Sequence, residues 1–494
     1  MNQARTPMLS KSRFLAGLQC PLRLWFQCYN RELAAPVSPS QQALFDMGHE
    51  VGRLATSLYP GGVAIEEDHL HHEQAVASTR EAMADPGVSA VYEAGFLHDA
   101  VRIRVDVLER RAGGRWNLIE VKSSASAKDV HLPDVAVQCH VLKGSGLDVE
   151  RAGILHLNNR YVYDGGELDP AELFAFTDLT RQAIAYQPEV ISRLRELKEM
   201  LSGGTPPAVE PDRHCLSPHR CEFWEHCTKG KPEFWVMNLA GITQERMESL
   251  AAAGIEDIRD VPDGFPLTAL QQRIRACVVN GVEYVAPELT DELRDVEWPA
   301  HFLDFETVAP AIPRYAGTRP YQTTPFQWSD HILHEDGSLD HREFLHEDED
   351  DPREAFCRTL LEALGDRGSV FIYTTYEVKI ITGLAEAFPY YSERLLAAAD
   401  RTKDLCATVK RHFYHPGFQG SFSLKSVLPA LVPSMGYEGL AIQEGNQASL
   451  EYLRMLNPSV PAGERARIKA ELLTYCRHDT LAMVRIREEL LKRF

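Results

Sequence analysis

No stretch of this chain is long and apolar enough to span a membrane or to serve as a secretory leader, and no tandem repeat is visible. Those absences predict a cytoplasmic protein that crosses no membrane and is not a solenoid. Cysteine pairs at C-x₂-C spacing are missing, and with them the commonest sequence sign of a structural zinc site. Positive charge is short: 52 Lys and Arg stand against 71 Asp and Glu, a net charge of −19. A protein that holds polyanions non-specifically profits from the opposite balance, because phosphate contacts dominate such affinity. Binding of that kind would require clustered cations, for instance Lys11, Arg13, Arg23 and Arg160, or Arg401, Lys403, Lys410 and Arg411. What the chain does have is bulk. Its 494 residues, 44% of them hydrophobic, suffice for two to four packed domains. Proline and glycine gather at 203–211 and 261–266, marking candidate boundaries.

The first concentration of chemistry is VRIRVDVLERRAGGRWNLIEVKSS at 101–124. Val101, Ile103 and Val105 alternate with charged residues, Gly113-Gly114 supplies a turn, and Leu118, Ile119 and Val121 continue a second strand, which together predict a hairpin. Glu120 and Lys122 then share a face and meet Asp106 at the edge of the hairpin. Two carboxylates and an ammonium so placed can hold Mg²⁺ or Mn²⁺ and polarise a water or a phosphate. Glu-Val-Lys taken alone reads as the charged face of a solvated hairpin. The earlier Asp106 and the cysteines turn the reading towards a site.

Cys215, Cys221 and Cys227 follow one another with five residues in each gap, and Cys20 lies far upstream. Three close thiolates and one distant one can close a Cys₄ site around an iron–sulfur cluster, tying two ends of a domain together. A structural zinc site ranks below the cluster, given the missing C-x₂-C pairs, and unrelated buried thiols rank lower still. Cys28, Cys139, Cys277, Cys357, Cys406 and Cys476 stand singly among apolar residues and read as core thiols.

On these motifs, residues 8–231 resemble the PD-(D/E)XK nucleases of the RecB type, in particular the CRISPR-associated RecB-like exonucleases and the AddB nuclease domain with their 4Fe-4S clusters. The resemblance implies a restriction-endonuclease-like fold in which Asp106 and Glu120 bind the metal and Lys122 supports the attacking water. Gln138, in DVAVQCHVL, would orient that lysine or the substrate. His49, in FDMGHEVGRLA, would be an extra metal ligand, and Cys20, Cys215, Cys221 and Cys227 would hold the cluster. The tyrosine that usually follows the glutamine by four places is Leu142 here.

A second acidic constellation lies in HFLDFETVAP, where alternation puts Asp304 and Glu306 on one strand face. Further on, LLTYCRHDTLAMVRI sets Tyr475 and Asp479 four apart, hence on one helical face. More acids are needed for a two-metal site. This D-x-E followed by Y-x₃-D resembles the DEDD family of 3′–5′ exonucleases, over residues 299–494, and implies a ribonuclease H-like fold. Asp304, Glu306, Glu377 and Asp479 would hold two ions, with Tyr475 positioning the attacking water. The family's middle acid should follow a strand. Val370–Tyr373 provides one, and Glu377 stands where an aspartate is usual, with Asp404 the second choice.

Between the two, residues 238–262 look like a helix-hairpin-helix, a module that grips a nucleic-acid backbone. Its acids Glu245, Glu248, Glu256, Asp257 and Asp260 suit a structural connector at least as well. The expected architecture is therefore α/β, with a PD-(D/E)XK domain and its cluster at 1–232, a helical connector at 233–295 and a ribonuclease H-like exonuclease domain at 296–494. The expected function is that of a metal-dependent DNA nuclease acting on single-stranded or duplex ends in DNA repair, foreign-DNA processing or defence. RNA stays open as a substrate. A helicase or defence-system partner stays open too, since no G-x₄-G-K-[ST] motif supplies unwinding. The alternative class is a nucleic-acid-binding scaffold with one site degenerate, which the substituted middle acid favours.

Overall fold

The structure, a computed structural model, describes residues 7–493. The chain is α/β and divides into two compact units, Met1–Gly230 with Pro310–Gln322, and Lys231–Ala309 with Thr323–Phe494. Residues 233–295, expected as a separate connector, fall inside the second unit, and 310–322, expected in the C-terminal domain, belong to the first. No helix among the described residues is long and apolar enough to cross a membrane.

The first unit is built on a seven-stranded mixed sheet. Strand β1 (Leu9–Ser10) leads into helix α1 (Lys11–Gln19), whose N-cap Ser10 accepts from the Arg13 N–H. Helix α2 (Pro39–Thr56) and strands β2 (Val63–Ala64), β3 (Ala90–His98), β4 (Val101–Arg110) and β5 (Trp116–Lys122) follow. Helix α3 (Leu132–Gly144) then crosses to β6 (Val149–Leu157), and β7 (Phe174–Asp178) closes the sheet. The order is β2-β3-β4-β5-β6-β7 with β1 beside β4; β3, β4 and β5 are antiparallel, and β6 is parallel to β5. The hairpin foreseen at 101–124 is β4–β5, turned by Gly113 and Gly114 at φ 75° and 76°. Leu118 and Ile154 pack with Val137 and Val141 of α3, while Ile119 and Leu155 pack with Val51 and Ala55 of α2. Burial on both faces is why β5 and β6 lack a clean polar–apolar alternation. The segment 310–322 joins this unit through Ala311 in the α2-side core, and by paired bonds between Tyr163 and the backbone at Gly317 and Thr318.

The second unit carries a five-stranded sheet made of β8 (Ala300–Val308), β9 (Thr324–Leu333), β10 (Leu339–Leu345), β11 (Val370–Ile372) and β12 (Thr402–Asp404). Its order is β10-β9-β8-β11-β12; the first three strands are antiparallel, β11 runs parallel to β8, and β12 runs parallel to β11. Helix α4 (Tyr376–Ala387) follows β11, and α5 (Leu405–His412), α6 (Leu424–Leu431), α7 (Gly445–Leu456) and α8 (Ala462–Leu491) are among the helices that come after it. Leu303 and Phe305 enter a core with Phe356, Leu360 and Ile381 on one face of β8. That leaves the even-numbered acids of β8 on the face turned to α8, where Cys476 meets Asp304.

Gly420 sits at φ 78°, and a Cβ there would lie 1.6 Å from the Asn238 carbonyl oxygen. Gly420→Ala is therefore expected to destabilise the second unit by at least about 1–3 kcal/mol. Gly264→Ala, whose Cβ would meet nothing within 4 Å, should leave the urea midpoint essentially unchanged. Equal midpoints for the two variants would contradict this close approach.

Candidate functional site

In the second unit, Asp304 and Glu306 of β8 and Tyr475 and Asp479 of α8 line one cavity, as the two- and four-residue spacings anticipate. The ligand atoms of Asp304, Glu306 and Cys476 lie within 4.8 Å of one another, the one such set among the described residues. Cys476, read from the sequence as a core thiol, thus belongs to the site. Its thiol donates to Asp304 Oδ2 at 3.5 Å and to the Asp304 carbonyl at 3.7 Å. Glu377 stands in the first turn of α4, buried, with Oε2 lacking a hydrogen-bond partner. Asp404, the second choice for the middle acid, is the last residue of β12, and its side chain caps α5 by accepting from the Ala407 N–H at 2.8 Å.

Three further residues were not found from the sequence. Tyr437 donates its hydroxyl to Asp479 Oδ1, 42 residues away in the chain. Lys425, in the first turn of α6, lines the cavity and donates to the Gln443 carbonyl. Its ammonium lies 5.4 Å from the ring of Tyr437 and 5.9 Å from that of Tyr475. Tyr376 pairs with the Thr307 hydroxyl at 2.6 Å on another wall. No spacing rule links these to the acids; the one sequence signal is a lysine in the largely apolar LKSVLPAL.

Burial dominates the electrostatics. It pushes Asp304 well above the carboxylate range, and Asp479, Glu306 and Glu377 push it further. Glu306 is raised in the same way by burial and Asp479, with Lys425 opposing. Burial brings Glu377 up to about 7, with Asp404 adding. Asp479 rises to about 6 through burial, against the Tyr437 hydrogen bond and Lys425. The Tyr475 phenol is raised by burial and then by Asp479 and Glu306, so it stays protonated.

The first unit answers its acids differently. Lys122 Nζ donates to Glu120 Oε1 at 2.6 Å and to Asp134 Oδ2 at 2.7 Å, while Lys11 reaches both Glu120 oxygens at 2.8 and 2.9 Å. Asp106 accepts from the Val121 N–H at 2.7 Å. Burial works against the charge on Glu120, but Lys11 and Lys122 outweigh it and hold the carboxyl below its usual range. Asp106 is pushed up to about 7, by burial and then by Glu120. Gln138, expected to orient Lys122 or the substrate, donates to Glu120 Oε2 at 2.8 Å and Asp134 Oδ1 at 3.1 Å, the two carboxylates that Lys122 also reaches. Asp134, missed from the sequence, sits one helical turn before it. Lys11, expected on a surface patch, is part of this network.

His49 does not join Asp106 and Glu120 in a set with ligand atoms within 4.8 Å, among the described residues. It is exposed on α2, two positions before the buried Val51 and hence about 200° round the helix from it. The other expected cationic patches are largely spent on local partners. Arg23 pairs with Glu222, Lys403 with Asp295 and Arg411 with Glu292, and Arg401 donates to the carbonyls of Gly365 and Gly368.

Cys20, Cys215, Cys221 and Cys227 line one cavity of the first unit together with Phe26 and Phe223. Cys215 is pushed up to about 11 by burial, with Cys20 and Cys227 adding, which places the three thiols within electrostatic reach. Among the described residues, no three of the four sulfurs lie within 4.8 Å of one another.

Residues 301–423 match a family described as a domain of unknown function, DUF2779. That span holds Asp304, Glu306, Glu377 and Asp404 and stops short of Lys425, Tyr475 and Asp479. No curated protein matches the chain.

Without a cation, the folded second unit keeps protons on Glu377 (about 7) and Asp479 (about 6) that the unfolded chain releases near its ordinary values. Stability must therefore fall as pH rises from about 4 through about 7. Urea midpoints of cation-free protein should drop between about pH 5 and about pH 7.5, Glu377→Gln should flatten the drop, and Mn²⁺ should reverse it at the higher pH. A drop indifferent to both would sever it from these carboxylates.

Proposed function

We propose that this chain is a metal-dependent nuclease that hydrolyses phosphodiester bonds at DNA ends, with the second-unit cavity as its principal hydrolytic site. One observation carries the reading: Asp304, Glu306 and Asp479 line one cavity in which Lys425 is the basic side chain and opposes Glu306 and Asp479, and Glu377 lies within electrostatic reach of Asp304 and Glu306. Such an anionic excess is costly in a protein interior unless cations answer it. The donors are hard oxygens, which suit Mg²⁺ or Mn²⁺, and the partnerless Glu377 Oε2 leaves a ligand atom to spare. A strand order of three antiparallel strands followed by two parallel ones supports the ribonuclease H-like reading of this unit.

When bound, two such ions supply Lewis acidity at the phosphate and an acidified water as nucleophile. The chain supplies the geometry. Tyr437 fixes Asp479 by its hydrogen bond, and the Cys476 thiol fixes Asp304 from behind. Tyr475 keeps its phenolic proton and hydrogen-bonds Asp479, so it would position the attacking water and not act as the base.

In the first unit, three antiparallel strands followed by a crossover helix to a parallel strand support the restriction-endonuclease-like reading. Asp106 and Glu120 would hold its metal and Lys122 would support the water. A second reading has an observation of its own here. Lys11 on both oxygens of Glu120 favours a first unit that binds nucleic acid without cutting it. The four cysteines suit a 4Fe-4S cluster better than one zinc ion. Tetrahedral zinc would draw thiolates to about 3.8 Å of one another, whereas a cluster interposes its own iron and sulfide. RNA ends, a helicase or a defence-system partner, and a cytoplasmic setting complete the proposal.

Asp304→Asn or Glu306→Gln should lower Mn²⁺-dependent cleavage of single-stranded DNA by roughly 10²-fold or more, and EDTA should abolish it. Cleavage that survives both substitutions would remove the second unit from the chemistry. Protein purified without oxygen should carry about four irons per chain and lose them on Cys215→Ala. Stoichiometric zinc with no iron would reassign the cysteines to a structural zinc site.

A further inference from the structure

Resting on the nuclease reading above, we infer that Lys425 is a substrate-binding residue of the second-unit site, which grips a phosphate of the nucleic-acid strand beside the bond that is cut. Among the described residues lining this cavity, Lys425 is the basic one, facing Asp304, Glu306, Glu444 and Asp479. Such a wall repels a polyanion even after metals bind, unless one point on it attracts phosphate.

The ammonium is held ready. The Gln443 carbonyl takes one of its three N–H donors, and the rings of Tyr437 and Tyr475 stand 5.4 and 5.9 Å from it, which restricts where a flexible lysine can go. Two donors are left, and lysine serves phosphate as a compact point charge. The cavity is also open at Gly445, where a side chain would begin 3.7 Å from Glu306 Oε2. Strand phosphates can thus approach the acids and the lysine together.

Lys425 could instead serve only to balance the buried acids. The two roles differ in sign. A balancing lysine competes with the cations, so its removal should tighten metal binding and leave substrate affinity alone. A phosphate-gripping lysine should show the reverse emphasis.

The test uses the full chain in an Asp106→Asn background, which silences the first unit while keeping an acceptor for the Val121 N–H. Fluorescein-labelled oligothymidylate is titrated in Ca²⁺ across salt concentrations, Mn²⁺ binding is measured by calorimetry, and kcat and KM are measured in Mn²⁺. Lys425→Ala should weaken oligonucleotide binding about tenfold or more and reduce the salt slope by about 0.7–1. KM should rise more than kcat falls, Mn²⁺ affinity should hold or tighten, and Lys425→Arg should recover part of the binding. Unchanged oligonucleotide affinity and salt slope would overturn the assignment, and so would loss of Mn²⁺ binding in both variants, which would mark a structural lysine. Asp304→Asn separates the two levels of argument. If it leaves cleavage intact in this background, the nuclease reading of the cavity fails; if it abolishes cleavage while Lys425→Ala binds normally, only Lys425 is misassigned.

Discussion

Like charges held in a shared, poorly solvated space repel one another, and the second unit is organised around that repulsion. Two carboxylates about 4 Å apart interact by several kcal/mol at the effective dielectric of a protein surface. Here Asp304 and Glu306 of β8 have their proton affinity raised by Asp479 of α8 and Glu377 of α4. Each neighbour offsets part of this: Tyr437 through a hydrogen bond to Asp479, Cys476 through its contact with Asp304, and Lys425 through its charge. None offsets all of it. A fold under selection for stability alone would place apolar side chains at these positions, and the cations of the proposed function would offset that cost.

The first unit solves the same problem with side chains. Lys11 and Lys122 supply two positive charges to Asp106, Glu120 and Asp134, and Gln138 ties the last two together. A cation entering there would have to displace Lys11 from Glu120, whereas in the second unit it would relieve a strain already present. The two clusters thus differ in how much a metal would gain, although their acid counts are similar.

What was legible in the sequence was whatever short-range periodicity encodes. Alternation gave the β4–β5 hairpin and the shared face of Asp304 and Glu306, and the four-residue interval gave Tyr475 with Asp479. Contacts set by tertiary packing were not legible. Lys11 lies 109 residues from Glu120, and Tyr437 lies 42 from Asp479, so neither carries a local signature. His49 entered through the resemblance alone, and no local periodicity in the sequence speaks for or against that role. Cys476 was passed over because an isolated cysteine in an apolar run usually is core, and only the strand opposite makes it otherwise.

The path of residues 310–322 has a consequence for how the chain comes into being. Between β8 and β9, two partners in one antiparallel ladder of the second unit, the backbone leaves for the first unit and returns. Three covalent crossings therefore join the units, at 230–231, 309–310 and 322–323. A ribosome must release some ninety residues beyond Gly230 before the first unit holds all its parts, so its completion is coupled to synthesis of β8 of the second. A gene cut at the obvious boundary would yield an N-terminal fragment lacking Ala311 and the backbone partners of Tyr163. The halves are thus separable on paper, yet they are made as a single piece.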